Sequence, residues 1–167
     1  MTLASPEIVK RRRGLKLAAI AVLTVAAALA AGQIATLPNL DTWYAGLIKP
    51  AFNPSNWIFG PVWTTLFALM AFAVWRVLRL PASTPGRQPA LVLFYGQLIL
   101  NALWSWAFFA SQSPLLGLVD IGPQLIFIIA TIIAFRRVDP LAAWCMVPLA
   151  GWVSFASILN FAIWRLN

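Results

Sequence analysis

Apolar runs and short polar breaks alternate five times along the 167 residues of this chain. A helix needs roughly 20 apolar residues to cross about 30 Å of hydrocarbon. The pattern predicts spans over about 17–37, 57–80, 90–110, 114–135 and 141–164. The breaks differ in character. Residues 38–56 (PNLDTWYAGLIKPAFNPSN) hold three prolines, a glycine and several polar groups, which predicts an ordered loop or a broken helix. Residues 81–89 (PASTPGRQP) read as a turn-rich linker, and Ser111–Ser113 as a very short turn. The expected fold class is an all-α membrane protein, a five-transmembrane-helix bundle over residues 17–167 behind a basic N-terminal extension, 1–16. A basic start followed by an apolar run also describes a secretory signal peptide, but the uncharged stretch Leu17–Leu37 exceeds that segment's limit of about 15 residues.

Composition narrows the chemistry. Hydrophobic residues make up 62% of the chain and charged residues 10%, so the bilayer is its solvent. There is no histidine, and only four carboxylates (Glu7, Asp41, Asp120, Asp139), leaving few candidates for acid–base chemistry and no expected metal site. The single cysteine, Cys145, rules out an internal disulfide. The net charge of +8 is a matter of topology rather than of nucleic-acid binding. With the N-terminus inside, Lys10, Arg11, Arg12, Arg13, Lys16, Arg76, Arg79, Arg87, Arg136 and Arg137 fall on the inner side, and only Lys49 and Arg165 fall outside. The expectation is a multi-pass protein of a bacterial cell membrane, N-terminus in and C-terminus out.

Helical rise then sets depth, at about 1.5 Å per residue. Trp63 and Asp120 lie about 9 Å below the outer ends of their spans, Asn101 about 13 Å and Asn160 about 7 Å. Large rings and polar groups from four spans reach similar levels beneath the 38–56 segment. On the third span Gln97, Asn101, Trp104 and Phe108 share a stripe. On the fifth Trp152, Ala156, Leu159 and Ile163 share a face, with Asn160 at its edge, and on the second Phe59 or Gly60, Trp63 and Phe67 do so. Rings, small residues and a few amides in an apolar bundle suit a flat hydrophobic ligand.

Each feature also has a plainer use. Trp57, Trp75, Trp144 and Trp164 sit at span ends, where an interfacial aromatic belt accounts for them. Gln97, Asn101 and Asn160 serve equally well as hydrogen-bonding ties between helices. Asp120, a carboxylate below the interface, needs a partner or water. It reads either as a ligand or coupled-ion site, or as a polar staple. Ala26, Ala30 and Ala31 offer small-residue faces for close helix contact.

Three separated motifs carry a family resemblance. Trp43–Phe67 (WYAGLIKPAFNPSNWIFGPVWTTLF) resembles the signature of the TspO/translocator-protein family, also called tryptophan-rich sensory proteins or peripheral-type benzodiazepine receptors. Gln97–Phe109 (QLILNALWSWAFF) is similar to that family's third helix, and Val147–Asn167 (VPLAGWVSFASILNFAIWRLN) to its fifth. With Leu118-Val119-Asp120, the likeness covers all five spans. It implies a five-helix bundle, commonly a homodimer, that binds porphyrins such as protoporphyrin IX, sterols and benzodiazepine-type drugs in the helix core. Porphyrin is a ligand in this picture, and no cofactor is required.

Carried over by position, the resemblance places Phe59, Gly60, Trp63, Asn101, Trp104, Asp120, Trp152, Ala156 and Leu159 at the site, under a lid containing Trp43, Lys49 and Pro50. It also implies a second activity, light- and oxygen-dependent porphyrin degradation using Trp63 and Trp152. The chain departs from the family pattern at Phe52, Ser55, Leu149 and Ser105-Trp106. Near the C-terminus the sterol-recognition pattern Leu159, Phe161, Arg165 lacks its tyrosine hydroxyl.

Overall fold

The computed structural model describes residues 6–167, with side chains described from residue 11 onward. Residues 1–5 of the basic extension, and the side chains of Glu7 and Lys10, lie outside the described residues. Five helices follow: α1 (Pro6–Asn39), α2 (Asn56–Arg79), α3 (Arg87–Ser105), α4 (Pro114–Val138) and α5 (Pro140–Leu166). All five are long and apolar enough to cross a membrane. The basic residues 11–16 continue the same helix as the first span, so α1 reaches about 51 Å in length, more than the about 30 Å of a bilayer's hydrocarbon core.

The segment 38–56 is helical over its first part. Pro38 lies within α1, and the chain then widens into a π-helical turn at Leu40–Tyr44 before the loop begins. A proline inside a helix has no N–H to give the preceding turn, and a wider turn takes up the mismatch. A second π turn, Trp106–Ala110, extends α3. The two π turns meet at the same end of the bundle.

The helices close into a ring in the order α1, α2, α5, α4, α3, back to α1. Near the basic end its axis is filled. Met70, Ala73, Val74 and Val77 of α2, Phe94 of α3, Phe135 of α4 and Met146 of α5 are fully buried. Phe94 and Phe135 stack with centroids 5.8 Å apart. Asp139 holds this end together. It caps α5 by accepting from the Ala142 N–H at 3.0 Å and takes Arg76 Nε on both carboxylate oxygens, at 2.9 and 3.1 Å. Burial acts to raise the Asp139 pKa, but Arg76 and the Ala142 N–H outweigh it and hold the carboxyl below its usual value. Arg87 crosses from α3 to the last carbonyls of α2, at Val77 and Leu78.

At the other end, helices approach through small residues. A Cβ on Gly117 would fall 2.6 Å from Asn160 Oδ1 and 2.9 Å from the Phe108 ring, so only glycine lets α4 close on α5 and the π turn there. Ala26 and Ala30, read as small-residue faces for close helix contact, face outward on α1, and Ala31 beside them is half-buried. The inward positions of α1 are Ala21, Val25, Gly32 and Ala35, because the ring meets a different stripe of the same alanine-rich helix.

Candidate functional site

Toward the loop end the ring is hollow. A cavity of about 420 Å³ lies between all five helices, within the roughly 300–1,000 Å³ of known small-molecule sites. Its wall on α2 is Phe59, Gly60, Trp63 and Phe67, and on α5 Trp152, Ala156, Leu159 and Asn160. On α3 and its π turn it is Asn101, Trp104 and Phe108. Trp63 meets Trp152 edge to face at 6.5 Å, Phe59 meets Trp152 at 5.7 Å, and Trp104 stacks on Phe108 at 5.0 Å. Edge-to-face and offset packing lock the rings in place and leave their remaining faces to the cavity.

Of the residues expected to bind the ligand, Gln97 and Asp120 do not line the cavity, whereas Trp43, Lys49 and Pro50, expected in the lid, lie in the covering 38–56 segment. Gln97 sits one turn beyond Asn101, sealed in the packed region with its amide nitrogen 3.7 Å from Met70 Sδ. Asp120 is off the wall, because one residue on a helix turns the side chain by about 100° and it is the neighbouring Ile121 that faces in. Asp120 is half-buried, and its Oδ2 has no hydrogen-bond partner. Trp43 backs Phe108 from outside, at 5.3 Å. Lys49 lies over the Tyr44 ring and donates to the carbonyls of Leu47 and Ala45. Lys49 and Pro50 belong to the covering loop and do not line the cavity. That loop is pinned to the end of α5, where Asn167 accepts from the Ile48 N–H at 2.9 Å and donates to its carbonyl at 3.0 Å.

Other wall residues carry no mark in the sequence pattern. α1 supplies a complete side through Ala28, Leu29, Gly32, Gln33, Thr36 and Leu37, and the first π turn adds Leu40 and Tyr44. Small residues at four-residue spacing, Ala28, Gly32 and Thr36, were the available signal. α4 adds Ile121 and Gln124. The exposed members of the lining (Gln33, Leu37, Asn56, Gly60 and Thr64) all belong to α1 and α2. The cavity therefore opens sideways, along the seam between those two helices. Asn160 ties the wall together, accepting from Trp104 Nε1 at 3.2 Å and donating to the Pro114 carbonyl at 2.8 Å.

A profile of the TspO/MBR family matches residues 19–165. The chain belongs to the TspO/MBR family. Among similar TspO/MBR proteins is the tryptophan-rich protein TspO of Chlorobaculum tepidum, 47% identical over 137 residues, which are 82% of this chain and 87% of that one. The translocator protein of Homo sapiens is 38% identical over 128 residues, 75% of each chain. The tryptophan-rich sensory protein of Cereibacter sphaeroides is 37% identical over 127 residues, 76% of this chain and 78% of its own. The matches take in the helices that build the cavity, which makes this TspO/MBR chain an integral, multi-pass membrane protein.

Proposed function

We propose that this TspO/MBR protein binds flat hydrophobic molecules in the cavity, as a sensor, chaperone or carrier. Porphyrins such as protoporphyrin IX are the leading class, with sterols and benzodiazepine-type drugs as further ligands. The observation that carries the reading is the 420 Å³ space walled by Phe59, Trp63, Trp104, Phe108 and Trp152. Burial supplies affinity at about 25 cal/mol per Å² removed from water, and the rings favour a planar guest. The opening along α1 and α2 gives a ligand dissolved in the bilayer a direct route inward. Among the described residues no Lys, Arg, Asp or Glu lines the cavity, so ligand carboxylates belong at its mouth. In the bilayer we place the basic end on the inner side, as the arrangement of arginines favours. The outward Ala26 and Ala30 suit a homodimer contact.

Gly60 supplies the test. A Cβ there meets nothing within 4 Å, so a substitution at this exposed edge of the cavity meets no immediate steric block. Titrating the purified protein with protoporphyrin IX, read by tryptophan quenching, is expected to show saturable binding that Gly60→Trp weakens at least about tenfold. Equal affinity in both proteins would place the ligand elsewhere. The contact between Trp63 and Trp152 supports a second reading, oxidation of bound porphyrin by molecular oxygen in light. Porphyrin absorbance that stays constant under aerobic illumination would dismiss it.

A further inference from the structure

Trp152 separates two spaces. Its indole walls the cavity on one side and, on the other, a groove of about 500 Å³ along the outer seam between α2 and α5. Pro61 and Thr65 line the groove from α2, and Pro148, Gly151 and Phe155 from α5. Pro61, Thr65, Pro148 and Gly151 are exposed, so the groove opens to the surroundings of the bundle. Gly151 keeps it clear, since a Cβ there meets nothing within 4 Å. On α5, residues 148, 151 and 155 form the stripe beside 152, 156 and 159. Trp152 therefore stands where the outer stripe meets the inner one.

The ring is held without a directional tie. It packs against Phe59 at 5.7 Å, Trp63 at 6.5 Å and Phe155 at 5.6 Å, but its Nε1 is buried and has no hydrogen-bond partner. Turning it breaks no hydrogen bond, and leaving it in place keeps a buried donor unmet. The groove offers what that donor lacks. Thr65 is the one other polar side chain lining it among the described residues, and its hydroxyl donates to the Pro61 carbonyl at 2.9 Å. Its lone pairs are left to accept, and an indole can only donate. In a bilayer lipid tails otherwise fill the groove, and exchanging their contacts for those of a ring costs little.

The consequence is the size of the guest. At about 420 Å³ the cavity lies toward the small end of the range for drug-sized ligands, and a tetrapyrrole with its substituents is larger than most of these. We propose that Trp152 is a movable partition that sets which guests fit. Turned into the groove, with Nε1 donating to Thr65, it widens the cavity by the space of its own indole and admits a tetrapyrrole. Smaller flat molecules bind with the ring in its present place. This rests on the cavity being the ligand site.

Protoporphyrin IX and pyrene, a much smaller flat guest, are titrated into the protein in lipid nanodiscs, and the signal that Gly60→Trp removes is taken as cavity binding. Gly151 and Thr65 line the groove but not the cavity, so changes there act from outside it. Gly151→Leu, which fills the groove, is expected to weaken protoporphyrin IX about tenfold or more and to leave pyrene within about twofold. Thr65→Val keeps the shape and loses the acceptor, and should weaken protoporphyrin IX about fivefold, the scale of one neutral hydrogen bond. It carries the test if Gly151→Leu fails to fold, as thermal unfolding would reveal. In a Trp152→Ala background there is no ring to displace, so Gly151→Leu should cost about twofold or less. An undiminished cost there, equal weakening of both guests, or unchanged porphyrin affinity in the folded groove variant overturns the partition and keeps the cavity. If neither guest binds the wild type above the Gly60→Trp background, the cavity reading fails and this proposal with it.

Discussion

The two ends of this bundle are made of the same five helices but solve opposite problems. At the basic end Phe94, Phe135, Met70 and Met146 fill the axis, and the one ion pair among the described residues, Arg76 with Asp139, fastens the helix junctions. At the loop end the axis is empty, two π turns replace regular helix, and Asn101 Nδ2 stands without a protein partner. In lipid, apolar surface gains little by moving from tails to protein, so helices associate through packing and hydrogen bonds. A solid region is then needed to hold a hollow one open. The basic end supplies the packing, and the side chains of the loop end are left to line a cavity.

The sharpest way to break this division is in the packed half. Phe135→Ala removes a fully buried ring stacked on Phe94 and should cost about 3 kcal/mol or more of stability. Ligand affinity of the fraction that remains folded should be unchanged. Unfolding followed alongside porphyrin titration checks both, and affinity falling in step with stability would show that the halves are not separable.

The converse change is Asn160→Leu. It deletes the acceptor for Trp104 and the donor to Pro114, at a cost of about 1 kcal/mol of stability, since single interhelical hydrogen bonds in lipid are weak. Its larger effect should be on ligand affinity, because Trp104 loses the bond that fixes its ring on the wall. The same two measurements read it.

The smallest effect belongs to the ion pair. Asp139→Asn keeps a side chain able to cap α5 while removing the charge, and should cost roughly 1 kcal/mol at neutral pH for a pair that is still partly solvated. The sign with pH follows from the lowered carboxyl of Asp139. Its contribution is complete above the unfolded carboxylate value, about 3.9, and disappears as pH falls through the lower folded value. Thermal unfolding of wild type and Asp139→Asn should therefore converge below about pH 4. A gap that persists into stronger acid would mean that the capping geometry, not the charge, was lost.

The spans and the rings could be read from the chain because each depends on one helix at a time. Hydropathy marks the five segments, and i, i+3 and i, i+4 spacing places Trp63 with Phe67, and Asn101 with Trp104 and Phe108, on common faces. The same reasoning misplaced Gln97, which shares that stripe but lies a turn too deep, and Asp120, which lies one residue out of phase with Ile121. It passed over the α1 wall, whose Ala28, Gly32 and Thr36 have no chemistry to draw attention, and Gln124, which stands alone in an apolar run.

The sequence by itself determined that the chain lives in a membrane, how many times its helices can cross and which end carries the arginines, because those properties sum over residues without regard to neighbours. Only the tertiary structure decided that α2 meets α5 while α3 meets α4, and hence which stripe of each helix faces a shared space. The order around a ring is fixed by close approaches such as Gly117 against Asn160 and by pairings such as Trp104 with Asn160. These join residues distant in the chain, and no local period encodes them.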